Sequence, residues 1–234
     1  GEALVFPTPP LPQIMLLLSL AAMFAASFIA IFQDNLKRLF AYSSVGQIGY
    51  ITLGLHFDSV AGLTASIVHL FNHGVTKAAI FLLIGGIVAA SAATTTRGAV
   101  SPGLTFDRLA GLAKHMPLTC FGIVIAGLSL IGVPGTAGFV SKWTLIVAAL
   151  EKEQYWLVGA ILLSSLLAVA YVWRFVEVAY FKPAPKASAR QEAPLGLLIP
   201  AWLLVIATIW FGLDTSFTVG TAAEAAQQLV KVGR

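Results

Sequence analysis

Charge is scarce in this chain. Only 10% of its 234 residues are Asp, Glu, Lys or Arg, while 58% are hydrophobic; a soluble domain carries about a quarter charged. So few charges cannot solvate a globule of this size, which excludes a soluble enzyme. In lipid the requirement reverses: apolar side chains face outward and every backbone polar group is satisfied internally. Cysteine is scarcer still. Cys120 stands alone in an apolar run, so neither a disulfide framework nor a cysteine metal cluster can form within the chain. No nucleotide loop, flavin motif or iron–sulfur cysteine set is present, so no cofactor or metal is expected and any redox chemistry lies in other chains. The net charge of +4 does not point to nucleic acid here. It reflects basic residues gathered in loops on one membrane side.

What is present in abundance is long apolar runs, and they predict an all-α, polytopic transmembrane bundle of about six spans. The chain opens Gly1-Glu2, followed by prolines at 7, 9, 10 and 12. No Lys or Arg precedes the first apolar run, so it lacks the charged leader of a signal peptide. It is expected to be a membrane span in a chain whose natural beginning lies upstream. The spans are expected at 11–32, 39–55, 59–90, 116–150, 155–181 and 195–213. The fourth is longer than one simple span needs. Its centre reads Gly132-Val133-Pro134-Gly135-Thr136-Ala137-Gly138, and the Pro134, Gly135 and Gly138 cluster should break the helix. Three regions follow: an extracytoplasmic lead-in over 1–10, the bundle over 11–215, and an amphipathic surface helix over 216–234. The sequence Thr221-Ala222-Ala223-Glu224 fits a capping box that would start this last helix.

Charge placement orients the bundle. The first, third and fifth connections must share a side. They hold Lys37, Arg38, Arg97, Arg108, Lys114, Lys182, Lys186 and Arg190. The opposite side holds only Lys152, Lys231 and Arg234. The richer side is expected to be cytoplasmic, in a multi-pass protein of a bacterial inner membrane.

Lys77, Lys142 and Arg174 remain inside spans, where an ionisable group is costly and is a functional candidate by default. His69, His73 and Lys77 follow each other at i, i+4 spacing. Each such step turns the helix by about 40°, so the three drift slowly along one face over about 12 Å. Asn72 and Thr76 add polar groups nearby. Imidazole and amine groups so spaced can each gain and lose a proton, which is what a proton relay needs. The alternative is that these side chains serve as interhelical hydrogen-bond glue. Haem ligation does not fit: histidines four apart on one helix point the same way, and no other span offers a histidine. Lys142 follows the helix break, where unpaired backbone groups can line a polar cavity and mark an ion site. The alternative for Lys142 is a lysine snorkelling to the interface, although it lies some eight residues before the next loop. Arg174 and Glu177, at i, i+3, are read as a structural ion pair.

The three segments Asp34-Asn35-Leu36-Lys37-Arg38-Leu39-Phe40-Ala41-Tyr42-Ser43-Ser44-Val45-Gly46-Gln47-Ile48-Gly49-Tyr50, His69-Leu70-Phe71-Asn72-His73-Gly74-Val75-Thr76-Lys77 and Gly132 to Trp143 resemble the antiporter-like subunits of respiratory complex I, of Mrp-type cation/proton antiporters and of membrane-bound hydrogenases. Ser141-Lys142-Trp143 and Trp173-Arg174 most resemble the D-type large component of the Mrp antiporters. The resemblance implies a C-terminal half only: the second of two inverted five-helix repeats, with its broken helix, plus the final helix. It implies that Lys142 is the broken-helix lysine and that Lys77, His73 and His69 belong to the central polar axis. One branch of complex I subunits has a glutamate where Lys142 stands, and this chain departs from it. The implied function is that of a proton-translocating or cation/proton-antiporting membrane protein. Its partners would be homologous membrane subunits and the lipid bilayer, and its ions protons, with Na+ as the alternative. No bond is made or broken by this chain itself, even if the parent is an NADH:quinone oxidoreductase-like or hydrogenase complex. The competing reading is a non-conducting membrane module that scaffolds partner subunits.

Overall fold

The apolar run after the prolines forms a helix, as lipid requires of any backbone it surrounds. It runs as α1 (Leu11–Ala21), a π-turn (Ala22–Ala26) and α2 (Ser27–Ile31). The computed structural model describes residues 11–93, 104–184 and 192–232. Residues 1–10, with the expected lead-in, and Arg97, Lys186, Arg190 and Arg234 lie outside them. Among the described residues the chain is a polytopic helical bundle with no strand, only one isolated bridge between Asn35 and Thr105.

The remaining helices are α3 (Leu36–His56), α4 (Val60–Ala93), the short α5 (Phe106–Leu109), α6 (Pro117–Ile131), α7 (Ala137–Glu151), α8 (Tyr155–Val176), α9 (Leu195–Leu213) and α10 (Ser216–Val232). The α8 helix continues as a π-turn to Phe181. Among the described residues, four helical stretches are long and apolar enough to cross a membrane: Leu11–Ile31, Val60–Ala92, Tyr155–Phe181 and Leu195–Leu213. A fifth is obtained if Phe106–Lys114 and Pro117–Ile131, bent by 109°, are one span. The count differs from six for a physical reason. Buried Ser43 and Gln47 lower the hydropathy of α3, and the broken fourth span yields two helices of 15 residues each, α6 and α7.

The central helix is α4, which packs against α3, α6, α7, α9 and α10. At 34 residues it is about 51 Å long. Large apolar side chains such as Leu17, Phe28, Leu163, Leu166, Trp173, Leu203 and Trp210 are exposed, the outward face expected in lipid. Helices there gain little from hydrophobic burial against each other, so close backbone approach matters. Between α3 and α4 it is achieved by Gly54 and Gly62, where a Cβ on Gly62 would stand 2.4 Å from the Gly54 carbonyl oxygen.

The described parts of the first, third and fifth connections meet at one end, as the alternating topology demands. Leu36 N–H donates to Leu104 O at 2.9 Å, Phe106 N–H to Asp34 O at 3.1 Å, and Gly111 N–H to Val178 O at 3.0 Å. Asn35 caps α3 by accepting from the backbone N–H of Lys37 and Arg38. Arg174 locks this end. It donates to the carbonyls of Ile31 and Gln33 and pairs with Asp34, each at 2.7 Å, with its guanidinium over the Phe106 ring. This corrects the expected Arg174–Glu177 pair. The helix widens into its π-turn at Glu177, and three acceptors where α2 ends and the chain turns toward α3 already engage the guanidinium.

The last helix starts at Ser216, where the expected surface helix begins, rather than at the Thr221 capping box, because the Asp214 carboxylate accepts from both the N–H and hydroxyl of Ser216. Those bonds hold the exposed Asp214 carboxyl below its usual range. Thr221 sits inside α10.

Candidate functional site

Among the described residues, two large apolar clusters occupy the bundle, beside a small third one of Val68, Val140 and Ala222. One gathers Met23, Tyr50, Leu53, Ala65, Leu145 and Ile161; the other gathers Phe40, Leu83, Ile123, Leu130, Ala168, Phe175 and Val205. The first span, with buried Ser27, and α3, α4 and α8 pass from one cluster to the other, each with buried polar residues at the crossing. On α3 these are Ser43 and Gln47, on α4 His69, Asn72, Thr76 and Lys77, and on α8 Ser164. Ser129 at the end of α6 and Ser141 and Lys142 early in α7 join them. A polar layer therefore runs across the interior, with apolar packing on either side.

The helix break lies in this layer. Gly132, at φ 91°, ends α6. Its N–H bonds to Ser129 O and that of Val133 to Leu128 O, the Schellman pattern that satisfies two of the four terminal carbonyls. Pro134 and Gly135, at φ 85°, then form a turn closed by Thr136 N–H to Val133 O at 3.2 Å. Proline presets the first central position of such a turn and glycine supplies the left-handed second one. Gly138 permits the halves to touch, since a Cβ there would sit 1.7 Å from the Ser129 carbonyl oxygen.

The two remaining carbonyls of α6 accept from Lys142. Its Nζ donates to Leu130 O at 2.8 Å, Ile131 O at 2.9 Å and Ser165 Oγ at 3.0 Å, and lies 4.8 Å from the centre of the Tyr50 ring. Three acceptors match the three N–H donors of an ammonium, at the helix end where the peptide dipoles favour a cation. The capping is mutual, because Ser129 Oγ accepts from Gly138 N–H at 3.0 Å at the start of α7. Lys142 is buried and points into the interior, so it is not a snorkelling lysine. A cavity of about 90 Å³ lies against it, lined in part by Gly132, Phe139, Trp143 and Ser165.

The α4 face meets the break directly. His69 Nδ1 is 2.9 Å from Ser141 Oγ, Asn72 Nδ2 donates to Ala137 O at 2.9 Å, and Thr76 Oγ1 is 3.2 Å from Ser129 Oγ. The His69 and His73 rings stack with centroids 6.1 Å apart and 2° between planes. His73 is within electrostatic reach of both Lys77 and Lys142. Lys77 turns toward α3, donating to Phe40 O at 2.7 Å and to Ser43 Oγ. Buried atoms without a protein partner cluster here as well: His69 Nε2, Asn72 Oδ1, His73 Nδ1 and the Tyr171 hydroxyl. Such atoms are rare in folded interiors and mark places where polar groups serve something other than packing.

Of the residues singled out from sequence, Lys142 sits at the break and His69 reaches Ser141 beside it, His73 stacks on His69, Lys77 turns away to α3, and Arg174 and Glu177 lie at the far end of α8. Three participants carried no isolated signal: Ser165, Tyr171 and Glu192. Glu192 accepts from Leu118 N–H at 2.9 Å, Thr119 N–H at 3.4 Å and the Thr119 hydroxyl. It caps α6 at the end opposite Lys142, so both helix ends are met by the complementary charge. Tyr50, which shares a face with Ser43 and Gln47 at i, i+4, i+7 spacing, was legible as a polar stripe. Among the described residues no group of His, Cys, Asp and Glu is placed to hold a metal ion.

Residues 3–168 match the family model described as NADH:quinone oxidoreductase/Mrp antiporter, TM. NADH-quinone oxidoreductase subunit N of Desulforudis audaxviator is 36% identical over 220 residues, 88% of this chain and 42% of that protein. The chain thus spans about two fifths of the length of this relative. Among solved structures, an Mrp complex from a Dietzia species aligns at TM-score 0.82 and 24% identity, over 94% of this chain and 48% of that one. Respiratory complex I from Thermus thermophilus aligns at TM-score 0.77 and 22% identity, over 94% and 45%. The expected likeness to the D-type Mrp component is compatible with the first of these structures, while the relative by sequence carries the name subunit N.

Proposed function

We propose that this chain, which belongs to the NADH:quinone oxidoreductase/Mrp antiporter membrane family, forms the proton-carrying C-terminal part of an antiporter-like subunit in a multisubunit membrane complex. Lys142, His69, His73 and Lys77 are the groups that take up and release the proton. The observation that carries this reading is Lys142: a buried amine with three acceptors at the break of a membrane helix. Two of those acceptors are helix-end carbonyls with no other partner, so the site holds a cation without a carboxylate. The stacked His69 and His73 rings precede Lys77 along α4, and their unpartnered ring nitrogens offer positions where a proton can arrive or leave. Among the described residues neither lysine is paired with an acid that would trap its proton. The ion pair of Arg174 with Asp34 stands apart from them, at the far end of α8.

The partners in this reading are homologous membrane subunits, reached through the exposed apolar faces of α1, α8 and α9. The membrane is a bacterial inner membrane, with Lys37, Arg38, Arg108, Lys114 and Lys182 on the cytoplasmic side and α10 on the outer surface. The transported ion is the proton. Exchange against Na+ is the variant found if translocation requires Na+ in the medium.

The mutual capping of α6 and α7 favours a second reading, in which Lys142 is a structural pin of a non-conducting scaffold. One experiment separates the two. Lys142→Met in the full-length protein, assembled in its complex, is expected to lose most proton translocation in membrane vesicles when normalised to assembled complex. Lys142→Arg is expected not to restore it, because a guanidinium stays protonated and cannot hand the proton on. Wild-type pumping per complex in the Met variant would refute the relay and leave the scaffold.

A further inference from the structure

Lys142 has a fourth neighbour besides its three hydrogen-bond acceptors, and it is the face of an aromatic ring. We infer that Tyr50 is a positioning residue of the proton relay, whose ring holds the Lys142 ammonium beside His69 in a form that can still release its proton.

Lys142 Nζ lies over the Tyr50 ring, 4.8 Å from its centre. The same ring stands 5.3 Å from the centroid of His69, tilted by 43°. His69 Nδ1 is in turn 2.9 Å from the Oγ of Ser141, the residue before Lys142. The Tyr50 hydroxyl is 3.4 Å from Ser165 Oγ, which accepts from Lys142 Nζ at 3.0 Å. One side chain from α3 therefore meets Lys142 of α7, His69 of α4 and Ser165 of α8. Tyr50 is buried in one cluster with Met23, Leu53, Leu145 and Ile161, so its ring cannot swing away without displacing them.

This contact differs in kind from the others around Lys142. The Leu130 and Ile131 carbonyls accept from a neutral amine as well as from an ammonium, since both carry N–H donors. A ring face attracts the charge itself, through its quadrupole, and most of that attraction is gone when the amine is neutral. Tyr50 thus favours the protonated state. The strength suits a relay. A ring face favours a desolvated cation by about tenfold, whereas a buried ion pair with a carboxylate is far harder to break. The same device recurs at the second lysine, whose Nζ lies 5.4 Å from the centre of the Phe40 ring and 5.9 Å from that of Phe81. Arg174 also stands over a ring, that of Phe106, but it is paired with Asp34, as fits a cation that keeps its charge.

Little else that titrates faces Lys142. From α3 comes Tyr50, and from α4 come His69 and His73, within electrostatic reach. The helices α6 and α8 meet its ammonium with two carbonyls and the Ser165 hydroxyl. Among the described residues no carboxylate pairs with it. The ring face is also a contact that can be weakened by degrees, because fluorine withdraws electron density from a ring with little change in its size.

This inference rests on the proposed relay, and the test keeps the two apart. The full-length protein within its complex is made as Tyr50→Phe, as the same variant with one, two and three fluorines on the ring, and as Lys142→Met. Pumping per assembled complex is measured against pH. A ring that no longer favours the ammonium leaves fewer lysines charged at alkaline pH, so the alkaline limb of the profile moves to lower pH. A stepwise movement with each fluorine is expected, about one pH unit between Tyr50→Phe and the trifluorinated ring, with equal assembly across the series. Superimposable profiles across the series, with Lys142→Met inactive, would overturn the role of Tyr50 and leave the relay standing. Wild-type pumping in Lys142→Met would remove the relay and the role of Tyr50 with it.

Discussion

Lys142 and Lys77 are both lysines buried in the middle of a membrane bundle, yet they are held by different means. Lys142 grows from a broken span and finds carbonyls that have left the helical ladder, those of Leu130 and Ile131. Lys77 grows from the unbroken α4 and borrows the Phe40 carbonyl, which already receives the hydroxyls of Ser43 and Ser44. A broken helix creates acceptors that need a donor, whereas an intact helix has none to spare. The cation at the break therefore supports the fold as well as the proposed function, while the cation on α4 draws on a neighbour that would be satisfied without it.

The largest effect is expected at Gly138, where the contrast between the two lysines originates. Gly138→Ala would place a Cβ 1.7 Å from the Ser129 carbonyl oxygen, forcing the two half-helices apart and dissolving the mutual caps. Loss of assembled complex is expected, measured as the yield of the complex extracted from membranes. Normal assembly would show that the halves need not touch.

A finer test sets Lys142→Met beside Lys77→Met for stability rather than transport. Leaving two buried carbonyls unpaired costs about 1–3 kcal/mol each. Lys142→Met is thus expected to lower the thermal midpoint of the detergent-solubilised complex clearly more than Lys77→Met. A methionine keeps most of the lysine stem and its packing but leaves the Leu130 and Ile131 carbonyls without their donor, and equal midpoints for the two variants would show that those carbonyls need none.

The smallest effect is expected on the unbroken helix. Gly74 lies on α4 between His73 and Lys77, and a Cβ there would meet nothing within 4 Å. Gly74→Ala should leave assembly unchanged or raise stability slightly, because alanine is the better helix former by about 1 kcal/mol. A marked loss of pumping in this variant would mean that α4 itself bends during transport and that broken and unbroken helices differ less than their static geometry implies.

Much of the bundle is legible in the order of residues. The outer spans agree with the apolar runs to within a residue or two: Leu11–Ile31, Tyr155–Phe181 and Leu195–Leu213. The break is legible because proline cannot continue a helix and glycines disfavour one, although of the expected Pro134, Gly135 and Gly138 the last lies inside α7, and Gly132 supplies the left-handed cap. The stripe of His69, His73 and Lys77 follows from helical periodicity, and His69 meets Ser141, the residue before Lys142. Glu192 could not have been foreseen as the cap of α6, because 73 residues separate it from Thr119 in the chain. The partner of Arg174 is misread from sequence for a similar reason. An i, i+3 neighbour is the default within a helix, but Asp34 lies 140 residues away and is brought alongside by the packing of α8 on α2.

Hydropathy and helix-breaking residues are properties of short stretches. They settle which segments lie in lipid, where the fourth span breaks and which ionisable groups are trapped inside. Where those groups point is a property of the assembled bundle. The ammonium of Lys142 turns back onto the helix that precedes the break, while Lys77 turns away to α3. A side chain in lipid must find every partner within the protein, and which partners are in reach depends on neighbouring helices that no local pattern describes.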